Sequence, residues 1–390
     1  MAVLLWLPRF FLQRPFRILW PPACWAVLAF LLYAIVRCRL ADIAYAARED
    51  LLNVILYATL FFVIVNNLNR RNSAGVVAVA LIALGLGESL FAIYQFVTHS
   101  ARVWLVWKPA GYALRGSGSY VCPDHFAAFA EMILPLALAY TVIGRLSAAL
   151  RVLTGYSALV ISAGIVVSLS RGALLSTAVA VGLFCLLLAL QRNLWRRALV
   201  LGAVAVAAAV VITHTDAVQQ RFAGGIVNKG DGRLFYWRAA EKIFHQHLWF
   251  GAGPEHFQIL YPTLAEQWGQ VNPHEVHDDY VQTLCEWGVV GLGIVLLAVG
   301  LVYGGVINTW PRLQRISGDL GGKNSSRTGF VLGAGVGLFA LLVHSFVDFN
   351  MHIPANAILA ITLMALLTAH IRFGTEGHWV NPGRIGKILL

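Results

Sequence analysis

Charged side chains are scarce in this 390-residue chain. Asp, Glu, Lys and Arg together make up 12% of it, whereas an average soluble domain carries about 25%. Hydrophobic residues make up 59%, and the mean hydropathy is +0.71. A soluble fold of this size cannot bury so much apolar surface, so the solvent for most of the chain must be lipid. The scarcity of charge therefore excludes an ordinary soluble domain.

Paired cysteines and nucleic-acid-binding patterns are also missing. The five cysteines are scattered, with no CxxC pair and no metal-ligand spacing, so we expect neither a zinc site nor another metal cofactor. The formal net charge is +11, yet no basic run with interleaved aromatic residues occurs. Because membrane proteins collect Lys and Arg on cytoplasmic loops, this charge predicts membrane lipids as partners and no nucleic acid.

Apolar runs of about 20 residues are abundant, and each predicts a membrane span. We place ten of them at about 18–36, 51–66, 75–97, 126–144, 152–169, 172–190, 197–213, 286–307, 329–348 and 353–371. The first 16 residues are expected to add a short interfacial helix. The predicted fold class is therefore an all-α polytopic membrane protein with about 10–12 transmembrane helices.

Two polar stretches separate the apolar runs, at about 98–125 and at 214–285. The second is far longer than an ordinary connection between helices, so we interpret it as a functional loop. It divides the chain into N-terminal transmembrane helices (1–213), a catalytic loop (214–285) and C-terminal transmembrane helices (286–390). The excess of Lys and Arg on the short loops places the N-terminus in the cytoplasm. Both polar stretches then face the outer side.

Arg171 stands in the segment SLSRGALL, between two apolar runs. An arginine at membrane depth costs about 2.5–3.5 kcal/mol on insertion scales, so something must offset it. A guanidinium matches phosphate oxygens in a bidentate way, which favours an anion site. The alternative is an arginine whose side chain reaches the interface. Gly172 and the flanking serines indicate a tight polar turn and favour the anion site.

The long loop contains three more candidates. Arg233 and Arg238 lie in GDGRLFYWRAAEKIF, where the Asp231-Gly232 turn predicts a helix that begins near Arg233. A cation at a helix N-terminus is unfavourable, because that end of the helix dipole is positive. An anion bound there would offset this repulsion, so the pattern favours an anion site. A solvated interfacial arginine is the equal alternative.

His277 lies in VNPHEVHDDYVQ, directly before the eighth span. Histidine is suited to removing a proton near neutral pH, and Asp278 or Asp279 could orient it. In the alternative, one of these aspartates caps the following helix and His277 is a surface residue. With His274, His277 could also hold a metal, but no third ligand has a fixed spacing. His344, Asp348 and His352 cluster near the end of the ninth span, and Glu88 lies deep in the third with no evident partner.

These segments, taken in order, resemble the O-antigen ligase superfamily of integral membrane glycosyltransferases. The resemblance runs from about 85 to 370 through GSGSYVCPDHFAAFAEMILPLAL, SLSRGALL, GRLFYWRAAEKIFHQHLWFGAGPEHF, HDDYVQTLCEWGVVGLG and HSFVDFNMHIPANA. The most specific piece is His277 with its following residue, then nine residues, then Gly288-x-x-Gly291. Two positions depart from the family pattern, because Asp278 and Asp124 replace the usual amides. Each adds a negative charge that is unfavourable near a polyanionic donor unless an arginine compensates it.

The resemblance implies a GT-C-like fold in the bacterial inner membrane, with a large helical periplasmic loop. The implied reaction moves a glycan from undecaprenyl diphosphate to an acceptor hydroxyl, most simply a lipid A-core sugar, at the periplasmic face and without a metal. His277 matches the proposed general base, and Arg171 and Arg233 match the arginines that hold the donor diphosphate. We assign five further residues to substrate binding: Arg115, His125, Arg238, Asp278 and Asp348.

Other functions remain open on the sequence alone. The same scaffold fits an O-antigen polymerase or a protein O-oligosaccharyltransferase, which differ only in the acceptor. A transporter of lipid-linked glycans would show inverted-repeat halves with broken helices, and no such symmetry is evident. A metal-dependent hydrolase would rest on His274 and His277 alone.

Overall fold

The computed structural model describes residues 17–69, 73–191, 194–223, 232–264, 273–319, 325–371 and 378–380. Several sequence predictions lie outside the described residues: the interfacial helix in 1–16, the turn residue Asp231, and the basic loop residues Arg70, Arg71, Arg192 and Lys323.

The described chain is almost entirely helical. Its helices are α1 (Pro22–Arg39), α2 (Ala44–Asn67), α3 (Ser73–Val97), α4 (Pro123–Val142), α5 (Ala148–Val167), α6 (Arg171–Ala189), α7 (Trp195–Thr213), α8 (Asp216–Phe222), α9 (Arg233–Gln246), α10 (Phe257–Leu264), α11 (Asp279–Asp319), α12 (Ser326–His344) and α13 (Pro354–Ile371). Two 3₁₀ turns span Ala110–Tyr112 and Asn350–His352.

Strands are few and short. Strand β1 (Ile18–Leu19) pairs antiparallel with β4 (Trp379–Val380), with Ile18 opposite Val380. Strands β2 (Arg102–Val103) and β3 (Val106–Trp107) form a hairpin in which Arg102 faces Trp107. The predicted all-α class is confirmed.

Nine of the described helices are long and apolar enough to cross a membrane: α1 to α7, α11 as far as Pro311, and α12. Helix α13 is a shorter apolar helix over Pro354–His370. All ten predicted spans therefore fall on apolar helices, and the protein is a multi-pass membrane protein. The 214–285 loop contains α8, α9 and α10, as expected of a helical loop.

The chain forms two compact units, and neither is one continuous stretch. Unit 1 comprises Met1–Ala74, Arg233–Pro311 and Ala357–Leu390. Within it, α9 and α10 pack on the loop before α11 through one buried apolar cluster, which consists of Ala239, Ala240, Ile243, Ala252, Phe257, Tyr261, Val276 and Cys285. This cluster fixes the polar loop segments of unit 1 to one another.

Unit 2 comprises Gly75–Gly232 and Arg312–Asn356. Helices α4 and α12 form its buried centre and run close together. A Cβ at Gly333 would lie 2.7 Å from Leu136 Cα, and one at Gly337 would meet the Met132 carbonyl oxygen at 2.2 Å. Glycines spaced by four residues allow two membrane helices to approach backbone to backbone. Two of the buried polar groups of this unit, Glu131 and His344, sit on these two helices.

Candidate active site

His277 lies in a short loop that folds onto the start of α11 in unit 1. The backbone of His277 is in the left-handed region, with φ 60°. The Val276 amide donates to Gln282 Oε1 at 2.7 Å, and the Gln282 amide donates to the Asp278 carbonyl at 2.9 Å. A non-glycine residue adopts this conformation only where its surroundings impose it, and such residues cluster at functional sites. The loop therefore holds the backbone of His277 in a defined conformation.

Asp278 is the N-cap of α11. Its Oδ1 accepts hydrogen bonds from the amides of Tyr280, at 2.9 Å, and Val281, at 3.0 Å. This is the capping role that the sequence left open. Burial raises the pKa of Asp278 to about 6, an effect that the two amide bonds oppose and the Asp279 carboxylate reinforces. The two backbone amides thus offset only part of the cost of the extra negative charge. Whether Asp278 also touches substrate stays a prediction.

The imidazole of His277 stacks on Tyr236 of α9, with ring centroids 5.9 Å apart and an interplanar angle of 24°. Arg233 is the first residue of α9 and lies one turn before Tyr236 on the same face. Arg238 is exposed and lies about 140° around the helix from Arg233. Unit 1 thus brings the helix that carries Arg233 against His277, and it turns Arg238 toward a different side.

Helix α11 breaks at Gly288, which has φ 67° and ψ −173°. The segment 248–253 lies alongside this break and forms backbone hydrogen bonds with it. The amides of Ala252 and Gly253 donate to the carbonyls of Cys285 and Glu286 at 2.9 and 3.0 Å, and the Val289 amide donates to the Leu248 carbonyl at 3.0 Å. These bonds satisfy backbone groups that the break would otherwise leave without helical partners.

Two side chains of α1 complete the junction. The Tyr33 hydroxyl donates to the Trp287 carbonyl at 2.6 Å, and Arg37 Nη2 donates to the Gly251 carbonyl at 2.8 Å. A Cβ on Gly288 would lie 2.4 Å from the Trp249 carbonyl oxygen, and one on Gly291 would lie 2.4 Å from Trp287 Cβ. Both glycines of the Gly-x-x-Gly pattern are therefore required by close contacts at the end of the half-helix that His277 precedes.

Arg171 occupies the equivalent place on a helix of unit 2. It is the first residue of α6, and the N-cap Ser170 accepts a hydrogen bond from the Ala173 amide at 3.3 Å. Leu169 just before it has φ 51°. The tight polar turn predicted at Ser-Arg-Gly is confirmed. Like Arg233, Arg171 places a positive charge at a helix N-terminus, where the dipole disfavours a cation and favours an anion.

Arg115 joins the 98–125 loop to this turn. Its Nε donates to the Ser168 carbonyl at 2.7 Å, and its Nη2 forms an ion pair with Asp124 Oδ1 at 2.7 Å. The sequence predicts that an arginine must compensate the charge of Asp124, and Arg115 does so. Lys108 Nζ donates to the Arg115 carbonyl at 2.6 Å, and burial, together with the nearby Arg115 charge, lowers the pKa of this amine.

A buried polar network lies beneath the Arg171 turn. His344 Nδ1 lies 3.0 Å from Glu131 Oε1, and the Ser176 hydroxyl of α6 donates to Glu131 Oε2. His344 Nε2 lies 3.9 Å from Asp348 Oδ2. A Cβ on Gly172 would meet His344 Nε2 at 2.7 Å, so the imidazole packs directly on the first turn of α6. One carboxylate thus links α4, α6 and α12.

His125 stands on the first turn of α4. Its ring makes an edge contact with Phe349, with centroids 4.9 Å apart, and its carbonyl accepts a hydrogen bond from Asn356 Nδ2 at 3.0 Å. Asp348 Oδ1 accepts from the Phe349 amide at 3.0 Å. Three residues of unit 2 were assigned to substrate binding, namely Arg115, His125 and Asp348. They belong to contact networks at the N-terminal ends of α4 and α6 and the C-terminal end of α12.

Sequence reasoning left the partner of Glu88 open and missed Glu131. Glu88 has a partner, since its Oε2 accepts from the Ser119 amide and its Oε1 from the Ser119 hydroxyl, both at 2.8 Å. Glu131 is 1% exposed and was not singled out, although a carboxylate inside an apolar run is a signal for a buried network. Among the described residues no group of three or more His, Cys, Asp or Glu is arranged to hold a metal ion.

Together these features define a helical, multi-pass membrane protein in which arginines stand at helix N-termini and a histidine is held at the start of a broken helix. Residues 156–296 match the family model of the O-antigen ligase. This segment contains Arg171, Arg233 and His277, and its similarity supports the O-antigen ligase superfamily. A comparison with curated proteins found no match. The superfamily consists of glycosyltransferase-like membrane proteins, and its substrates are lipid-linked glycans.

Proposed function

We propose that this protein transfers a glycan from undecaprenyl diphosphate to an acceptor hydroxyl, with a lipid A-core sugar as the acceptor. The reaction takes place at the periplasmic face of the bacterial inner membrane, without a metal and with inversion at the anomeric carbon. The observation that carries the proposal is the geometry of His277. It is fixed by a capped loop, has φ 60°, and lies against the helix that begins with Arg233.

In this proposal His277 is the general base. It removes the proton of the acceptor hydroxyl while that oxygen attacks the anomeric carbon of the donor. The bond from the anomeric carbon to the diphosphate oxygen breaks in the same displacement, which inverts the configuration. A positioned general base contributes about 10²- to 10⁴-fold to a rate.

Arg233 and Arg171 are proposed to neutralise the charge that grows on the leaving diphosphate. Guanidinium groups bind phosphate oxygens in a bidentate way, and preorganised charges at a site of developing charge supply much of a transition state's stabilisation. Both arginines begin helices, so backbone amides and the helix dipole add to the attraction for an anion.

Reconstitution with a defined lipid-linked donor tests the reaction. The purified protein in lipid nanodiscs is given donor and lipid A-core acceptor in excess chelator, and the anomeric configuration of the product is determined by NMR. Inverted product formed in chelator is the expected result. Retained configuration, or activity that disappears with chelator and returns with a metal, would contradict the proposed mechanism.

The arginine roles are tested by donor kinetics. Arg233→Ala and Arg171→Ala are each expected to raise the KM for the donor or lower kcat, while Lys242→Ala, at an exposed position about 180° around α9 from Arg233, serves as a matched control. Unchanged donor kinetics in Arg233→Ala would remove the phosphate role. The product that accumulates in cells after gene deletion distinguishes ligation from polymerisation and from protein glycosylation.

A further inference from the structure

The β2–β3 hairpin exposes an apolar tip outside every predicted span. Leu105 is 97% exposed, Trp104 71% and Trp107 63%, and Val106 beside them is more than half exposed. Four consecutive large hydrophobic side chains at the tip of a loop would be unfavourable in water. Such a tip is expected to contact an apolar partner.

The loop that carries this hairpin folds back along α3. Gln95 Nε2 donates to the Arg102 carbonyl at 3.1 Å and to the Gly118 carbonyl at 2.9 Å, and Gln95 Oε1 accepts from the Ser117 amide at 2.9 Å. Trp104 packs on Phe91, with ring centroids 5.0 Å apart. These contacts and the Glu88–Ser119 bonds lie on one face of α3, at positions i, i+3 and i+7.

This direction of folding brings the tip to membrane depth. Helix α3 has 25 residues and is therefore about 38 Å long, which exceeds the hydrocarbon thickness of about 30 Å by roughly 4 Å at each end. Phe91 precedes the last residue, Val97, by six positions, or about 9 Å along the axis. With α3 centred on the bilayer and upright in it, the ring of Trp104 beside Phe91 would lie about 5 Å below the hydrocarbon boundary.

The hairpin is built to tolerate this environment. Its strands pair Arg102 with Trp107 and Val103 with Val106, and the Lys108 amide donates to the Ala101 carbonyl at 2.8 Å. Paired backbone groups can enter the interface without losing hydrogen bonds to water. The two-residue turn is Trp104-Leu105, where Asn and Gly are usually preferred. Trp104 takes φ 53° there, so the turn retains apolar side chains at some conformational cost.

One charged group accompanies the apolar tip. The guanidinium of Arg102 lies over the Trp107 ring, 4.1 Å from its centroid. Arginine and tryptophan are typical of the headgroup level, where the ring meets acyl chains and the cation meets lipid phosphates. The arrangement therefore fits a bilayer interface better than a purely apolar protein groove.

We propose that the 101–108 hairpin is an interfacial anchor that inserts Trp104 and Leu105 into the headgroup–acyl boundary of the bilayer at the α3 C-terminal side. The partner is the lipid surface itself. The anchor holds the 98–125 loop, and with it Arg115, at the level of the membrane surface. This inference goes beyond the proposed reaction and does not depend on it.

Site-directed spin labelling tests the depth of the tip in the full-length protein. In a chain whose partly exposed cysteines Cys122 and Cys185 are replaced by Ser, Leu105→Cys is labelled and placed in nanodiscs of phosphatidylethanolamine and phosphatidylglycerol. Gln219→Cys, an exposed polar position on α8, is the matched control. A label at Val106→Cys gives a second measurement of accessibility at the tip. The chain with no introduced cysteine measures background labelling.

The labels at Leu105 and Val106 are expected to collide with oxygen much more often than with a water-soluble nickel chelate. The label at Gln219 is expected to show the reverse, so that the oxygen-to-nickel ratio differs several-fold between the two places. A tip label as open to nickel as the Gln219 label would place the hairpin in water. A tip label poorly accessible to both reagents would place it against protein, such as a second copy. Either result would overturn the proposal.

Discussion

The substitution Gly288→Ala tests how the break in helix α11 holds the 248–253 segment. The new Cβ would lie 2.4 Å from the Trp249 carbonyl oxygen and 2.5 Å from the Gly251 amide nitrogen. Both neighbours are backbone atoms, so no side chain can rotate away. Restoring an ordinary contact of 3.4 Å requires a displacement of about 1 Å.

The cost has two parts. An alanine at φ 67° and ψ −173° occupies a region that is essentially restricted to glycine, at about 1–3 kcal/mol. A displacement of about 1 Å would also break the bonds from Val289 and Val290 to the carbonyls of Leu248 and Trp249, now 3.0 and 3.2 Å long, at about 0.5–1.5 kcal/mol each. We therefore expect a destabilisation of roughly 2–6 kcal/mol, local to the junction at which the 248–253 segment meets α11.

The matched control is Gly293→Ala, five residues further along the same helix, where a Cβ would meet nothing within 4 Å. Thermal unfolding of the purified proteins in detergent, together with hydrogen exchange of the Val289 and Val290 amides, measures the difference. Gly288→Ala should unfold at a clearly lower temperature and exchange faster at Val289 and Val290, while Gly293→Ala should match the wild type. Equal behaviour of the two variants would refute the account of the break.

Three further predictions concern the two polar networks. Glu131→Ala should leave the buried His344 Nδ1 without its carboxylate partner, at about 1–3 kcal/mol, and should raise the donor KM more than the buried control Thr154→Val on α5. Gly172→Ala should also raise the donor KM, because its Cβ would meet the His344 imidazole at 2.7 Å, whereas Gly182→Ala on the same helix should not. Asp278→Asn should keep the helix cap and raise the melting temperature more at pH 7 than at pH 4.

The sign of the last prediction follows from linkage. Burial raises the pKa of Asp278 from 3.8 to about 6, so between these values the folded state binds more protons than the unfolded state. The stability of the wild type therefore falls as pH rises through this window, and an uncharged Asn removes that loss. A pH-independent difference between the two proteins would contradict it. For Glu131 and Gly172, donor kinetics equal to those of their controls would show that the network does not act on Arg171.

Hydropathy alone was sufficient for the fold class. Each span is a local property of about 20 residues, and lipid leaves a helix as the only economical arrangement for them. The ten predicted spans accordingly coincide with apolar helices from α1 to α13. The helical character of the 214–285 loop was implied by the family resemblance, and α8, α9 and α10 agree with it.

The contacts that define the site could not be predicted in the same way, because they join residues far apart in sequence. The pattern Gly288-x-x-Gly291 was evident, but its reasons are the close contacts of Gly288 with the Trp249 carbonyl and of Gly291 with Trp287 Cβ. The partner of Glu88 is Ser119, and that of Glu131 is His344, 213 residues away. Nothing in the local pattern fixes such pairings. The need for an arginine near Asp124 could be predicted from the sequence, and Arg115 forms that ion pair.

The most direct test of the central claim is a single-turnover ligation assay in nanodiscs that compares His277→Ala with His274→Ala. His274 is an exposed histidine three residues earlier and is the matched control. If His277 is the general base, its loss should lower the rate of glycan transfer by about 10²- to 10⁴-fold with donor binding retained, and His274→Ala should react like the wild type. A His277→Ala protein that transfers glycan at the wild-type rate would contradict the account.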